Sequence, residues 1–347
     1  MKEYLCILGR HPKLSLLELV SYCKRKHINC QLKHSTATFA HVALASPLNI
    51  HELGGIQKIA EPTTLDALVP NRNKITFAIT SVDSKNILPQ IKARWKEERV
   101  KAMQKYASMR TIPPSKSRLL DLDIIVYRNI PYKVTAVSDP RAYRKRDETR
   151  PSFDALKVTS IRLAKMLVNL AQAEKSILDP FCGNGTILQE ALLMGYEVVG
   201  IDLSIASAKK NISWLGERYR KRAHLLQGDA PATIASLPSV EAVATEPYMG
   251  PYVKKLPTEE QAQRIVSGLI PLYERLFSAL AKVQGKVVIV LPRIRTFKKT
   301  FSLPVHHLLK KTGFTISSIH PSIHLPIVYE KRRSKVERLI YVVEKLK

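Results

Sequence analysis

The sequence predicts an α/β protein with a C-terminal Rossmann-like sheet of seven strands that ends in an antiparallel hairpin. Three observations support this fold class. Residues 176–204 (SILDPFCGNGTILQEALLMGYEVVGIDLS) have the order strand, glycine turn, apolar helix and strand, within the length of a βαβ unit. Short β-branched segments then continue to alternate with helical patterns. Before this sheet, mixed strands and helices predict a ferredoxin-like α+β module.

Size and charge limit the possible function. The chain has 347 residues, more than most single domains, and 45% of them are hydrophobic, so we expect two packed domains. Fifty-six Lys and Arg against 29 Asp and Glu give a net charge of +27. A field of this sign favours polyanions, of which RNA is the commonest in the cytosol. Charge alone separates RNA neither from DNA nor from a basic solubilising surface.

Membrane and metal signals are weak in this sequence. No apolar run approaches the ~18 residues of a membrane-spanning helix, and the apolar part of MKEYLCILGRHP is shorter than a signal peptide requires. We therefore expect a soluble, cytoplasmic protein. The four cysteines show no C-x-x-C spacing and no nearby histidine ligands, so we expect no metal. Cys182, beside the glycine turn, is interpreted as a packing residue because no base neighbours it in sequence.

The N-terminal region is predicted to hold two modules, at residues 1–66 and 67–140. The first has the order β-α-β-β, with strands predicted at 3–9, 28–32, 37–44 and 57–60, a helix at 13–24 and a short helix at 50–53. The second has a strand, a long basic helix and two strands, predicted at 74–82, 88–107, 121–127 and 132–137.

Basic side chains cluster in the second module and in the predicted linker that follows it, residues 141–157. Any one lysine is most simply a solvated surface residue, but as a set these cations are expected to contact phosphates. The set comprises Lys92, Arg94, Lys96, Arg99, Lys101 and Lys105 of the predicted helix, Lys116 and Arg118, and Arg141, Arg144, Lys145, Arg146 and Arg150 of the linker.

The glycine turn predicts the type of cofactor. It lacks the third glycine of a dinucleotide fingerprint, and the chain has no G-x-x-x-x-G-K-[ST] phosphate loop. Asp179, just before the turn, would repel a pyrophosphate but attract the sulfonium and amino groups of a cationic cofactor. Asp202, at the end of the second strand, is placed to accept ribose hydroxyls. S-adenosylmethionine is therefore favoured over NAD or ATP, and an incidental Gly-x-Gly turn is the alternative.

Two further strand ends are expected at the same site, because ligands of open α/β sheets bind outside the carboxyl ends of the strands. A third strand (223–227) precedes Asp229, which can also cap the next helix. A fourth strand (241–246) leads into Thr245-Glu246-Pro247-Tyr248. The remaining elements are predicted as helices at 158–170, 205–219, 256–282 (with a kink at Pro271) and 305–312, and strands at 286–291, 314–319 and 334–344.

Three segments carry a resemblance to a known family. DPFCGNGT and the following GIDLS resemble the first two motifs of class I methyltransferases that modify the exocyclic amino groups of bases. Residues 146–171 (RDETRPSFDALKVTSIRLAKMLVNLA) resemble the block before the cofactor motif in THUMP-containing tRNA methyltransferases of the guanine-10 N2 family. The opening YLCILGRHP-x-LSL-x-EL is similar to the N-terminal segment of the same family.

The resemblance implies a domain order and a set of cofactor residues. Residues 67–140 would form a THUMP-like RNA-binding domain that grips the acceptor end of tRNA, and residues 158–347 a methyltransferase domain. S-adenosylmethionine would be bound by Asp179, Phe181, Gly183, Gly185, Thr186, Asp202, Leu203, Asp229 and Ala230.

The resemblance also implies catalytic residues and a reaction. Amino methyltransferases usually carry Asp, Asn or Ser, then Pro-Pro and an aromatic residue; here Thr245 takes the first position, Glu246 replaces the first proline, and Pro247 and Tyr248 match. The implied reaction is methylation of a guanine N2 in tRNA, at position 10.

Two alternatives to this reaction stay open. One is another base-amino methyltransferase, acting on rRNA guanine or adenine N6, and the other is a catalytically silent RNA-binding protein. The expected partner is tRNA, bound by the basic N-terminal region, the linker and the segment from Lys331 to Lys335. The sequence does not report on a small activating subunit of the kind that some relatives use.

Overall fold

The fold is described from a computed structural model that covers residues 1–83, 86–153, 159–329 and 334–346. The chain divides into two compact units. Unit 1 comprises Met1–Leu16 and His27–Arg146, and unit 2 comprises Leu17–Lys26 and Asp147–Lys347.

Unit 1 is built on one eight-stranded sheet. Its order is β2-β3-β1-β4-β8-β7-β5-β6, with β5 parallel to both β6 and β7 and the other pairs antiparallel. The sheet contains strands from both sides of residue 66, where the sequence predicts a boundary between modules. The elements up to residue 149 are β1 (Lys2–Leu8), α1 (Pro12–Arg25), β2 (Cys30–Ser35), β3 (Phe39–Leu44), β4 (Ile56–Pro62), β5 (Lys74–Ser81), α2 (Leu88–Glu97), β6 (Lys101–Gln104), α3 (Pro114–Ser117), β7 (Leu122–Tyr127), β8 (Ile130–Val137) and α4 (Pro140–Thr149).

A buried ion pair links the two sides of that boundary. The Lys58 ammonium of β4 donates to Asp123 Oδ2 of β7 at 2.6 Å, and both side chains are almost fully buried. Burial lowers the pKa of Lys58, and the neighbouring carboxylate opposes this shift. Because a buried charge is tolerated only with its partner, loss of either side chain is expected to cost about 3–5 kcal/mol.

The long basic helix predicted at 88–107 is wrong in its second half. Helix α2 ends at Glu97, and Arg99 adopts a left-handed conformation (φ +55°) that terminates it. The chain then returns as β6, which pairs with β5 from Lys74↔Lys101 onward. Hence Lys92, Arg94 and Lys96 lie on helix α2, and Arg99 lies just after it. Lys101 begins the edge strand β6, and Lys105 follows that strand.

The predicted linker begins with a helix, α4. Asp139 Oδ1 accepts hydrogen bonds from the backbone N–H groups of Arg141 (3.1 Å) and Ala142 (3.0 Å), and Pro140 is the first helical residue. This Asp-Pro start is a capping signal that can be read from sequence. No residue of α4 is buried, so its basic side chains lie at the surface.

Unit 2 contains the mixed sheet that the sequence predicts. Its main path is β11-β10-β9-β12-β13-β17-β15, or 3-2-1-4-5-7-6 in order along the chain, with β17 antiparallel to both neighbours. Two short strands, β14 and β16, are added to the seven strands that the sequence predicts. The elements are α5 (Ile161–Ala171), β9 (Ser176–Asp179), α6 (Thr186–Leu193), β10 (Glu197–Asp202), α7 (Ala206–Leu215), α8 (Glu217–Arg220), β11 (Ala223–Gln227), α9 (Ala230–Ser236), β12 (Val243–Thr245), α10 (Glu259–Ala279), β13 (Val287–Arg295), β14 (Thr300–Ser302), α11 (Val305–Thr312), β15 (Phe314–Ile316), β16 (Ile327–Tyr329) and β17 (Val336–Lys345).

The core of unit 2 lies under this sheet. The central strands are apolar and buried, and α10 packs its buried face, including Tyr273 and Phe277, against them. The helix predicted at 205–219 is broken, because Gly216 (φ +113°) separates α7 from α8. Within the described ranges, no helix combines the length and apolar character needed to cross a membrane.

Candidate cofactor and base site

The glycine turn connects β9 to α6 and needs glycine at two positions. Gly183 (φ +50°) and Gly185 (φ +75°) both adopt left-handed backbone conformations. A Cβ on Gly185 would lie 3.2 Å from the Cβ of Ala208, so this glycine allows α7 to pack closely. A Cβ on Gly183 would meet no atom of the described residues within 4 Å, so these residues leave open space beside the turn.

Asp202 is held against the turn by backbone donors. Gly183 N donates to Asp202 Oδ2 (2.8 Å), and Ser204 N donates to Oδ1 (3.1 Å). Each carboxylate oxygen has a second acceptor site, so two ribose hydroxyls can still be bound. Leu203, the next residue, is 74% exposed and offers an apolar surface beside this acid.

Asn184 leaves a polar atom without a partner in the turn. Its Nδ2 is buried and makes no hydrogen bond within the part of the chain that the structure describes. Buried donors are nearly always satisfied, so an orphan here fits a ligand acceptor. This donor and the open space beside Gly183 lie in the same turn.

Asp179 links the first strand to the fourth. It is 1% exposed, and its Oδ1 accepts from Thr245 Oγ1 (2.7 Å) and from Phe181 N (3.2 Å). Burial raises the pKa of Asp179 to about 7, the two hydrogen bonds oppose that shift, and the charges of Asp202 and Glu246 add to it. A neighbouring cation would stabilise the ionised form of this buried carboxyl.

Asp229 follows the third strand and begins α9. Its Oδ2 accepts from Ala232 N (3.2 Å), which confirms the predicted cap, and forms an ion pair with Arg275. Gly228 N donates to the Asp202 carbonyl (3.0 Å), so the ends of β10 and β11 are joined. Ala230 is the first residue of α9 and is buried.

The turn after β12 is held by three side chains from other elements. Glu246 accepts from Thr159 Oγ1 through Oε2 and from Arg338 Nε through Oε1, both at 2.6 Å. Tyr273 donates its hydroxyl to the Tyr248 carbonyl at 3.0 Å. The Tyr248 ring is nevertheless 54% exposed, so the backbone is held while the ring stays accessible.

Arg338 and Thr159 were not identified from the sequence. Arg338 lies near the start of β17, just before the apolar run of that strand, and Thr159 precedes the Ser160 cap of α5. A cation beside an apolar strand segment was the available signal, but its partner lies 92 residues away in the sequence. The predicted tRNA contacts Lys331, Arg332 and Arg333 lie outside the described residues.

Thr186 is bound by a buried arginine, and Cys182 is a buried thiol. Arg150 Nη1 donates to Thr186 Oγ1 (3.0 Å), and the Arg150 guanidinium also pairs with Asp147 and lies 4.7 Å from the Phe153 ring centroid. Cys182 is buried, and burial raises the pKa of its thiol. The thiol is therefore protonated at neutral pH. Among the described residues, no group of histidine, cysteine and acidic side chains could hold a metal ion.

Comparison with known proteins matches one segment of the chain to a domain family. Residues 155–224 match the family model described as UPF0020, RMKL-like, methyltransferase domain. The chain therefore contains a class I methyltransferase domain. S-adenosylmethionine is the cofactor of such domains, and the turn, Asp179, Asp202 and the orphan donor of Asn184 fit it.

Relatives and one solved structure extend the comparison. The chain is 34% identical over 137 residues to tRNA (guanine(10)-N2)-dimethyltransferase from Pyrococcus abyssi, which covers 38% of each chain. It is 34% identical over 127 residues to the enzyme of that name from Methanothermobacter thermautotrophicus, covering 34% of this chain and 35% of the relative. The match thus spans little more than a third of either relative. TrmN from Thermus thermophilus shares the fold, with a TM-score of 0.51, 18% identity and coverage of 99% of this chain and 100% of that one.

Proposed function

We propose that this methyltransferase-domain protein is an S-adenosylmethionine-dependent tRNA methyltransferase that modifies the N2 amino group of guanine, at position 10. The observation that carries the proposal is the hydrogen bond from Thr245 to Asp179, which joins the predicted cofactor site to the predicted base site. The names of the two relatives support the substrate.

The cofactor site is proposed to have three parts. The glycine turn, with Phe181, Gly183, Gly185 and Thr186, would hold the amino-acid portion. Asp202 would accept the ribose hydroxyls, and Leu203 would pack on the nucleoside. Asp229 and the backbone of Ala230 would bind the adenine. Asp179 would face the cationic groups, in keeping with its burial.

The catalytic turn is proposed to work by positioning. The guanine N2 is a poor nucleophile because its lone pair is delocalised into the ring. Backbone carbonyls of the turn from Thr245 to Pro247, with Glu246, would accept its N–H groups and direct the lone pair at the methyl carbon. The cofactor would supply this methyl carbon, which is bonded to its sulfonium sulfur. Positioning of this type contributes up to ~7–11 kcal/mol in favourable cases.

Glu246 provides a reason to favour guanine over adenine. Arg338 and Thr159 each use one acceptor site of its carboxylate, and one site on each oxygen remains. The Watson–Crick edge of guanine presents two donors, N1–H and N2–H, to such a pair of acceptors. Adenine presents an acceptor at N1, which a carboxylate repels. Tyr248, with its exposed ring, would stack on the extruded base.

The N-terminal modules are proposed to bind the rest of the tRNA. We propose a ferredoxin-like module at 1–66, a THUMP-like RNA-binding domain at 67–140, a linker at 141–157 and the methyltransferase domain at 158–347. The exposed cations of α4 support phosphate contact. Arg94 is a weaker contact, because it already pairs with Asp66, Glu97 and Glu98.

The decisive experiment is incubation of the protein with labelled S-adenosylmethionine and an unmodified tRNA transcript, followed by mapping of the methylated nucleoside. Label in N2-methylguanosine at position 10 is expected. Label in N6-methyladenosine, or in guanine of an rRNA substrate assayed in parallel, would select the other base-amino reactions. Cofactor and tRNA binding without transfer would select a silent RNA-binding protein.

A further inference from the structure

The hairpin of β13 and β14 carries a highly exposed aromatic ring. Phe297 is 87% exposed, more than any other large hydrophobic side chain in the described ranges. It lies in the turn Thr296–Lys299, which we name the hairpin tip. Neither the cofactor site nor the catalytic turn uses this residue.

The hairpin tip is a rigid support for that ring. Thr296 N and Oγ1 both donate to the Lys299 carbonyl, at 2.9 and 2.8 Å. Thr296 Oγ1 in turn accepts from Lys298 N (3.3 Å) and Lys299 N (3.1 Å). Below the tip, Ile294 is fully buried and pairs with Phe301. An exposed ring on a turn fixed in this way is preorganised for a partner rather than mobile.

The hairpin tip and the catalytic turn both lie at the carboxyl end of the parallel strands. Strand β13 runs parallel to β12, with Thr245 opposite Ile289. It continues for six residues to Arg295, which is about 20 Å of extended chain. The tip therefore projects past the strand ends where a target base would be held.

The charges around Phe297 indicate the type of partner. Lys298 is exposed and has no ion-pair partner in the described part of the chain, and Lys299 is held by Glu259 at 2.8 Å. Protein interfaces are depleted of lysine, whereas an aromatic ring flanked by cations is the pattern of single-stranded nucleic-acid sites. We propose that Phe297 stacks on an unpaired base of the RNA substrate while Lys298 contacts a neighbouring phosphate. This inference rests on the proposed RNA substrate.

The test compares RNA binding by three variants at fixed salt. Stacking on one base is worth about 5- to 150-fold in affinity, so Phe297→Ala should weaken binding of an unmodified tRNA transcript by that factor. Phe297→Tyr keeps the ring and should bind within about twofold of the parent protein. Leu346→Ala is the matched control, because Leu346 is an exposed apolar residue just after β17, at the end of the strands opposite to the hairpin tip.

Salt dependence and self-association separate the possible outcomes. Lys298→Gln should reduce the slope of log affinity against log salt by about 0.7–0.9, and cofactor affinity should not change in any variant. Unchanged RNA affinity in Phe297→Ala would overturn the proposal. A variant that loses self-association in sedimentation, instead of losing RNA affinity, would also overturn it. RNA binding is measured separately from methyl transfer, so the two proposals can fail independently. RNA binding that depends on Phe297 but is not followed by methylation would refute the proposed reaction and support the stacking contact of Phe297.

Discussion

Asp179 makes cofactor binding depend on pH. Its pKa is raised to about 7, and a cationic cofactor favours the ionised carboxylate. About a tenth of the carboxyl is ionised at pH 6 and nearly all at pH 8, so affinity through this group should be about tenfold weaker at pH 6. Asp179→Asn should lose this dependence and bind more weakly at pH 8.

Calorimetric titration of both proteins between pH 6 and 8 measures the effect. The amino group of the cofactor titrates equally with both proteins, so the difference between them isolates Asp179. Binding by the parent protein should also release a proton near neutral pH, seen as heat that varies with the buffer. Parallel pH profiles for the two proteins would refute a direct interaction with the cation.

The same carboxyl should affect stability without cofactor. A pKa raised from 3.8 to about 7 means that the unfolded chain ionises first, so stability from this group is present below pH 4 and lost as pH rises through 7. Three pKa units correspond to about 4 kcal/mol. Asp179→Asn should therefore unfold at a higher denaturant concentration than the parent protein at pH 8, and the difference should shrink towards pH 4.

Three further predictions concern the base site and the core. Arg338→Met should lower kcat at least tenfold with cofactor affinity unchanged, because the Glu246 carboxylate loses the cation that orients it. Tyr248→Ala should likewise lower turnover while sparing cofactor binding, because only the exposed ring is removed. Gly200→Ala should destabilise unit 2 by about 1–3 kcal/mol in chemical denaturation, because a Cβ would collide with Leu188 and lie 2.8 Å from Leu225.

Matched variants test each of these reasons. Tyr248→Phe should retain turnover, since Tyr273 holds the Tyr248 backbone and not its hydroxyl. Arg338→Lys, which restores a charge, should recover part of kcat; equal loss in both Arg338 variants would argue against an electrostatic role. Gly268→Ala lies in α10, where the added Cβ would meet no atom of the described chain within 4 Å, so it should stabilise unit 2 rather than destabilise it.

Local patterns predicted much of unit 2. The strand before Asp179, the glycine turn and the cap at Asp229 follow from apolar runs, turn residues and capping preferences over a few positions. The predicted contact of the first and fourth strand ends was also correct, because the parallel topology brings them to one edge. These features depend on nearest neighbours or on a general rule of sheet architecture.

Features that depend on register or on distant partners were missed. The pair of Glu246 with Arg338 requires β17 to lie antiparallel to β13 at one particular register, which no local pattern specifies. The end of α2 was missed because the run from 98 to 107 has good helix formers, and its strand pairing with β5 overrides that preference. The residue roles proposed for the cofactor and the base remain predictions.

The Lys58–Asp123 pair has a consequence for biosynthesis. Strand β8 lies between the strands that carry these two residues, and β4 obtains one of its two ladders from it. A nascent chain that has emerged only as far as residue 66 has an ammonium with no counter-ion and an open strand edge. The eight-stranded sheet can be completed only after β8 has left the ribosome. Both modules should therefore fold together in a single step.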